Sequence, residues 1–407
     1  MIKNWGIIGG VAAAVAAGVY VLWGPITDRR KRKRGMVPGL LNLGNTCFLN
    51  SLLQGLAACP SFIRWLETVI GLPPTQSCKD NQLSTTLLQL LNGLSRDAPG
   101  EEDILDAGCL LDVLRLYRWH ISSFEEQDAH ELFHVLTSSL DEERDRQPKI
   151  VPLFDMQSLE SIPDQDEKTM TCRSRGPLHP IPSPWKSQNP FHGCLTSNMS
   201  CKRCEQQSPV RYDSFESLSL SIPLPQWGRP VSLDQCLQHF ISSETIKEVD
   251  CENCTKLQQG TSVNGEVLGS QRTTFVKQLK LGKLPQCLCI HLQRLTWSNE
   301  GSPIKRPEHS PGLNPQHGFT NDVSSTEYLF QLTAVLVHHG DMHSGHFVTY
   351  RRSPCSARPS SPFSSQWLWV SDDSVRKASL QEMLSSNAYM LFYERIRRLD
   401  LAPRSEE

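Results

Sequence analysis

The most informative stretch of this 407-residue chain is Gly39-Leu-Leu-Asn-Leu-Gly-Asn-Thr-Cys-Phe-Leu-Asn-Ser-Leu-Leu-Gln54. Gly44 in this stretch is typical of a loop, and Asn45 and Thr46 after it are residues that favour the helix N-cap position. From Phe48 onward, apolar residues recur at helical spacing and predict one buried face. The stretch therefore predicts a loop that turns into a helix just before Cys47, which falls in the first turn.

This position makes Cys47 a candidate nucleophile. A free thiol has a pKa of about 8.5, and a helix N-terminus or a nearby imidazole stabilises the reactive thiolate. The side-chain amide of Asn42, five residues upstream, is a candidate to stabilise the oxyanion of acyl transfer. The other interpretation of Cys47 is a buried structural cysteine at a helix start. A distant partner residue decides between the two.

That partner is found near the C-terminus, in residues 338–350, His-His-Gly-Asp-Met-His-Ser-Gly-His-Phe-Val-Thr-Tyr. The apolar run before this segment and the residues Phe347 to Arg351 predict two strands joined by a glycine-containing hairpin. His346 opens the second strand, which is a rigid place for a general base. A cysteine with a distant histidine is the arrangement that a cysteine protease needs.

These two segments resemble the cysteine box and the histidine box of the ubiquitin-specific protease family. Residues 126–133 resemble the family's Gln-Asp segment, and residues 284–294 resemble its central palm strand. The resemblance runs from Val37 to Arg395 in the family's order. It implies an α+β, papain-like fold with thumb, palm and fingers regions, and a thiol protease that hydrolyses isopeptide bonds between ubiquitin and proteins or within ubiquitin chains.

The chain is expected to follow a simple order of segments. We predict a short non-cytosolic N-terminus (1–4), a single transmembrane signal anchor (5–23), a basic juxtamembrane segment (24–36), the catalytic domain (37–395) and a polar tail (396–407). Within the catalytic domain, we expect the thumb at 37–147, a Pro-rich loop at 148–190, the fingers region at 191–273 and the palm at 274–395.

The anchor is predicted from an apolar, uncharged run at 5–23, which as a helix spans about 28 Å, close to a bilayer core of about 30 Å. Six basic residues follow at 29–34, and the positive-inside rule places the large C-terminal part in the cytosol. A cleaved signal peptide is the alternative, but this charge lies after the apolar run, although Lys3 precedes it. Composition alone does not exclude the membrane of the endoplasmic reticulum.

The resemblance extends to the family member of the mitochondrial outer membrane. It implies ubiquitinated proteins of that membrane as substrates and an effect that opposes ubiquitin-driven mitophagy.

Two Cys-x-x-Cys pairs, Cys201 with Cys204 and Cys251 with Cys254, offer four thiolates for tetrahedral zinc. The 46 residues between the pairs suit two hairpins brought together by a sheet. The alternatives are four unrelated buried thiols or a redox pair. The resemblance implies that these pairs belong to the fingers region, which grips ubiquitin. Because four cysteines leave no open position, we expect one structural zinc ion and no organic cofactor.

Three more positions are assigned with the help of the resemblance. It implies that Asp128 binds the basic C-terminal tail of ubiquitin, although Asp128 can also cap its own helix. Most family members have Asp or Asn where Ser371 falls. We expect Ser371 to accept the Nδ1–H of His346, with Asp372 as the alternative orienting residue or as a polar support for the oxyanion site.

The net charge argues against one class of partner, and one departure from the family pattern motivates an alternative function. The net charge of −2 gives no reason to expect nucleic acid as a partner. Residues 299–325 are short and mostly polar, whereas the family usually carries a hydrophobic strand there. This departure motivates the alternative of a catalytically weak ubiquitin-binding protein. A membrane-tethered zinc scaffold is the second alternative.

Overall fold

The computed structural model describes most of the chain between residues 36 and 396. The described residues are 36–70, 82–95, 103–117, 128–146, 188–224, 231–259, 270–297, 303–305, 329–340, 345–354 and 366–396. The predicted anchor and the basic run after it lie outside these residues, as do nearly all of the Pro-rich loop and the polar tail. No helix within the described ranges is long and apolar enough to span a bilayer.

Five helices form the N-terminal part of the described chain. They are α1 (Cys47–Leu56), α2 (Pro60–Ile70), α3 (Gln82–Ser95), α4 (Gly108–Leu116) and α5 (Ala129–Arg146). Apolar residues three and four apart fall on one side of each helix and form a common core. Residues 87–94 and 109–116, where apolar residues recur at helical spacing, lie within α3 and α4. Before and between these helices, β1 (Gly39–Leu40) pairs in parallel with β2 (Ile104–Leu105).

A seven-stranded sheet forms the second part of the fold. Its strands are β5 (Ser217–Leu220), β8 (Cys287–Leu292), β11 (Leu329–Gly340), β12 (Gly345–Arg352), β13 (Trp367–Ser371), β14 (Ser374–Ala378) and β15 (Ala388–Ile396). Their order across the sheet is β14-β13-β12-β11-β15-β8-β5. Neighbours are antiparallel except β5 and β8. The β11–β12 hairpin confirms the two strands predicted around the histidine segment.

A four-stranded sheet, β4-β3-β7-β6, holds the cysteine pairs. It consists of β3 (Gly193–Cys201), β4 (Arg211–Phe215), β6 (Glu244–Asp250) and β7 (Arg272–Lys283). Three short helices accompany the two sheets: α6 (Leu233–Phe240), α7 (Glu252–Gln259) and α8 (Leu380–Leu384). A small hairpin of β9 (Leu295–Trp297) and β10 (Pro303–Lys305) enters the segment that departs from the family pattern.

Two strands join a different sheet from the one that the sequence suggested. β5 falls between the cysteine pairs in sequence, but it pairs with β8 in the seven-stranded sheet, where Leu218 and Leu220 are buried. β7 was expected among the palm strands, yet it lies between β3 and β6. The reason is burial: the apolar residues of β5 belong to the palm core, whereas β7 is mostly half-exposed.

Candidate active site

Cys47 is the first residue of α1, as predicted. Thr46 is the N-cap residue, but its side chain accepts from the N–H of Leu43 at 2.9 Å and makes no capping bond to the helix. The first turn of α1 therefore keeps backbone N–H groups that no side chain at the cap position satisfies, and these groups favour negative charge. The Cys47 side chain packs in the core, and the residue is 6% exposed. The sulfur therefore lies at a helix N-terminus with little exposure to bulk water.

α1 lies along β12, and this packing brings Cys47 to the same end as His346. The hydroxyl of Thr349 donates to the carbonyl of Ser51 at 2.8 Å, and Arg351 donates to Gln54 at 2.7 Å. Both chains run in the same direction across these contacts. From the Thr349–Ser51 contact, Cys47 is four residues back along α1, about 6 Å, and His346 is three residues back along β12, about 10 Å. Cys47 and His346, the second residue of β12, therefore both lie on the N-terminal side of these contacts.

His346 contacts Ser371 across neighbouring strands. The imidazole Nε2 lies 2.7 Å from the hydroxyl oxygen of Ser371, the last residue of β13. The structure thus brings together the predicted histidine and its preferred orienting residue. The expectation that Nδ1 makes this bond is wrong, because His346 presents Nε2 to Ser371. That arrangement leaves Nδ1 as the ring nitrogen that can take the thiol proton.

Asp372 contacts two amides instead of the imidazole. Its carboxylate accepts from Nδ2 of Asn42 at 2.8 Å and from Nδ2 of Asn50 at 2.8 Å. Its carbonyl accepts from the N–H of Leu40 at 2.8 Å, which ties β1 to the β13–β14 turn. Asp372 has φ of 48°, a left-handed conformation that Asp and Asn adopt more readily than most residues. Of the two roles considered for Asp372, the geometry matches the support of the oxyanion site.

The loop before α1 fixes the orientation of the Asn42 amide. Asn42 Oδ1 accepts from the N–H of Gly44 at 3.0 Å and from the N–H of Thr46 at 3.3 Å. Gly44 and Asn45 both have positive φ, of 92° and 48°, which lets the loop curl around the Asn42 side chain. Because Oδ1 is occupied, Nδ2 must point away from the loop. One of its protons is used by Asp372, and the second can be donated to a substrate oxygen.

Asp128 is the residue before α5 and is held by two donors. It accepts from the N–H of His130 at 2.7 Å, so it caps its own helix. The hydroxyl of Tyr389 lies 2.6 Å from each carboxylate oxygen. Burial and the nearby Asp128 carboxylate raise the pKa of Tyr389, so this hydroxyl remains a neutral donor. The ring centroids of Tyr389 and Phe347, the neighbour of His346, are 5.4 Å apart. One side chain therefore links Asp128 to strand β12.

The four predicted zinc ligands converge, as expected. The Sγ atoms of Cys201, Cys204, Cys251 and Cys254 all lie within 4.8 Å of one another. Cys201 and Cys254 are 3.8 Å apart, and Cys204 and Cys251 are 3.6 Å apart. Tetrahedral zinc with Zn–S bonds of 2.3 Å separates its sulfur ligands by about 3.8 Å, so these two separations match those of a zinc site. The pairs come from the turn after β3 and from the start of α7, and zinc there would crosslink these two segments.

Two side chains in this region were missed by the sequence reasoning. Asn50, the second amide on Asp372, lies three residues after Cys47 and is 2% exposed. A polar residue on the buried face of a predicted helix is a signal that a partner must exist. Tyr389 stands within an apolar strand, where nothing in the sequence marks its hydroxyl as a partner of Asp128.

Comparisons with known proteins agree with this geometry. Residues 38–393 match the family model described as ubiquitin carboxyl-terminal hydrolase. The chain is 62% identical to ubiquitin carboxyl-terminal hydrolase 30 of Danio rerio, over 98% of the chain and 93% of that protein. It is 55% identical to the Homo sapiens protein of the same name, over 97% of the chain and 91% of that protein.

A solved structure, the SAGA DUB module containing Ubp8 bound to monoubiquitin, shares the fold. It superposes with a TM-score of 0.63 at 21% identity, over 94% of this chain and 75% of that one. The alignment with the Danio rerio protein spans 468 positions, more than the 407 residues of the chain. That relative therefore contains segments that this chain lacks.

Proposed function

The chain belongs to the ubiquitin carboxyl-terminal hydrolase family, and we propose that it removes ubiquitin from proteins at the cytosolic face of the mitochondrial outer membrane. The enzyme is a thiol-dependent ubiquitin hydrolase. The observation that carries the proposed site is the packing of α1 along β12, which places Cys47 and the His346–Ser371 pair on the same side of the α1–β12 contacts.

The proposed reaction is acyl transfer to Cys47. The thiolate attacks the carbonyl carbon of the C-terminal glycine of ubiquitin, and Nδ1 of His346 takes the thiol proton. When the tetrahedral intermediate collapses, His346 returns that proton to the lysine amine that leaves. Water then hydrolyses the thioester and regenerates the thiol. Ser371 holds the imidazole through Nε2, which leaves Nδ1 to exchange the proton with the sulfur.

The oxyanion of the tetrahedral intermediate is proposed to bind Asn42 and backbone N–H groups near Cys47. A donor of this kind acts best when it is fixed before the reaction starts. Asn42 meets that condition, since its Oδ1 is held by the loop and its Nδ2 by Asp372. Asn50 holds the other oxygen of the same carboxylate. In this proposal Asp372 is a positioning residue for the oxyanion site.

Ubiquitin is proposed to bind across the thumb, the palm and the four-stranded sheet. The support comes from the ubiquitin-bound Ubp8 module, which shares this fold. Asp128, with both oxygens aligned by Tyr389, is proposed to bind a basic residue in the C-terminal tail of ubiquitin. The cysteine cluster is proposed to hold one structural zinc ion, which supplies a crosslink and takes no part in the chemistry.

Membrane location is proposed from the sequence. The apolar run at 5–23 and the basic run at 29–34 support one spanning helix with the catalytic domain in the cytosol. An anchor of this kind would confine the enzyme to ubiquitinated proteins on one membrane surface. At the mitochondrial outer membrane, that activity would oppose ubiquitin-driven mitophagy. Expression of the full chain and of a variant that lacks 5–23, followed by mitochondrial fractionation and protease protection, tests this part.

The catalytic part is tested with an electrophilic ubiquitin probe that reacts at its C-terminus. The full chain and its Cys47→Ala variant are incubated with the probe under identical conditions. We expect a covalent adduct on the wild type alone. If the folded, zinc-loaded wild type gives no adduct, the proposed site is wrong, and ubiquitin binding without turnover becomes the better description. If it also fails to bind ubiquitin, the scaffold alternative is favoured.

A further inference from the structure

Helix α5 carries two histidines that the proposed reaction does not use. His130 and His134 are four residues apart, a spacing that places both side chains on one face of a helix. Their Nε2 atoms lie 3.1 Å apart, and the ring centroids are 4.5 Å apart. Two imidazoles at this spacing are the helical half of many zinc sites.

A third donor atom completes a triangle with these nitrogens. The hydroxyl oxygen of Ser217, on β5, lies 2.8 Å from Nε2 of His130 and 3.0 Å from Nε2 of His134. Three ligands of a tetrahedral zinc ion at about 2.1 Å are about 3.4 Å from one another, so the sides of this triangle need to open by about 0.3–0.6 Å. The three atoms can therefore cap one face of a metal ion and leave its fourth position open.

The surroundings hold the His130 ring in place and leave the triangle open to solvent. The ring of His130 stacks on that of His291, with ring centroids 3.9 Å apart. The side chain of His134 is 46% exposed, so an ion can reach the triangle from solvent. The carboxylate of Glu216 lies 3.9 Å from Nδ1 of His134, where it can orient the ring from the opposite side.

We propose that His130, His134 and Ser217 form a binding site for a divalent transition-metal ion such as Zn²⁺, separate from the four-cysteine cluster. The ion would tie helix α5 to strand β5, and so the helical part to the seven-stranded sheet, two residues from Asp128. Within the described residues, the four cysteines are the only group of three or more Cys, His, Asp or Glu side chains whose ligand atoms converge. The histidine site has a hydroxyl as its third ligand, and it should bind metal more weakly than the cysteine cluster.

Cobalt is the probe, because its absorption spectrum separates thiolate ligands from histidine ligands. The full chain carrying Cys47→Ala is loaded with zinc at the cysteine cluster, freed of excess metal and titrated with Co²⁺ at neutral pH. The His134→Gln variant is compared with His239→Gln, which alters an exposed histidine on another helix. We expect saturable visible bands without the near-ultraviolet thiolate band in the parent and in His239→Gln. We expect at least a tenfold loss of affinity in His134→Gln.

A second variant guards against a local loss of structure. Ser217→Ala keeps both imidazoles, and we expect it to weaken cobalt binding by a few fold. We expect no change in the melting temperature of the protein when the histidine site is free of metal. Cobalt bands of thiolate type, an absence of visible bands in the parent, or equal affinity in the parent and in His134→Gln would each overturn the proposal.

Discussion

The hydroxyl of Ser371 lies 2.7 Å from Nε2 of His346, on the side of the ring away from Nδ1. A hydroxyl carries no charge, so it stabilises an imidazolium less than a carboxylate would. Its main contribution is orientation, because it holds the ring with Nδ1 toward the start of α1. Hydrogen bonds to charged groups are worth about 1.5–3 kcal/mol.

We therefore predict that Ser371→Ala lowers kcat by about tenfold to a hundredfold, since 1.4 kcal/mol corresponds to a factor of ten. Release of a fluorophore from the C-terminus of ubiquitin measures this rate. Ser374→Ala is the matched control, because Ser374 pairs with Ser371 across the turn but its hydroxyl bonds only to Asp373 among the contacts described. An unchanged kcat in Ser371→Ala would show that His346 is oriented by other contacts.

Asp372 gives a prediction of a different kind. Asp372→Asn fits the left-handed backbone at this position, but it turns one acceptor into a donor and removes the charge. One of the two amides, Asn42 or Asn50, then faces an NH2 group in place of an acceptor, and the other donates to a neutral oxygen. We predict a fall in kcat of about tenfold or more with little change in KM, because a misplaced oxyanion donor costs transition-state binding.

Asp373→Asn is the control for this experiment. It changes the adjacent acidic residue of the same turn, whose carboxylate accepts only from Ser374 in the described contacts. We expect it to keep at least half of the wild-type kcat. If both variants lose activity equally, the effect belongs to the turn itself, and the role assigned to Asp372 is wrong.

The sequence predicted the local elements of this site well. The helix start at Cys47 and the hairpin before His346 follow from periodicity and turn residues, which act over a few positions. The contacts between them were less predictable. Asn50 and Asp372 are 322 positions apart, and no local pattern specifies that their side chains meet.

The fold shows the same division between local and long-range information. The alternation of Ser217 to Leu220 predicts a strand, and the strand exists. Which sheet it joins depends on the core that buries Leu218 and Leu220, and that core forms only when β8 lies alongside. The sequence also could not predict which imidazole nitrogen of His346 contacts Ser371, because this depends on how β12 and β13 are placed relative to α1.

Loss of the four-cysteine cluster should destabilise the chain. We predict that Cys254→Ser removes one zinc per chain and lowers the melting temperature by several degrees, because binding of a structural zinc ion contributes folding free energy. Elemental analysis and thermal unfolding measure the two effects. Cys194→Ser is the control, since Cys194 lies in the same strand as Cys201 but outside the cluster. Equal zinc content in both variants would exclude metal binding by these cysteines.

Glu394 predicts a pH dependence of stability. Burial raises the pKa of this carboxyl above 4.5, and one of its oxygens has no partner among the described residues. A carboxyl with a raised pKa in the folded state contributes stability at low pH, and that stability is lost as the pH rises through the folded pKa. The Glu394→Gln variant cannot ionise, so its melting temperature relative to wild type should rise as the pH is raised from 4.5 to 7.5.

The control for Glu394 is Glu67→Gln, an exposed glutamate on α2. Its melting temperature relative to wild type should stay constant over the same pH range. If Glu394→Gln and wild type instead show parallel curves, Glu394 is ionised in the folded state as readily as in the unfolded chain.

The Tyr389–Asp128 contact separates substrate binding from chemistry. The Tyr389 hydroxyl holds both oxygens of Asp128, which we propose as a ligand of the ubiquitin tail. We predict that Tyr389→Phe raises KM about tenfold, from the loss of a charged hydrogen bond, and changes kcat by less than twofold. In combination with Asp128→Asn, the two effects should be less than additive, because both remove the same aligned carboxylate.

Tyr393→Phe is the matched control: this tyrosine is buried on the same strand, and its hydroxyl has no partner among the described residues. A rise in KM for Tyr393→Phe as large as for Tyr389→Phe, or full additivity with Asp128→Asn, would show that the hydroxyl of Tyr389 does not act through Asp128.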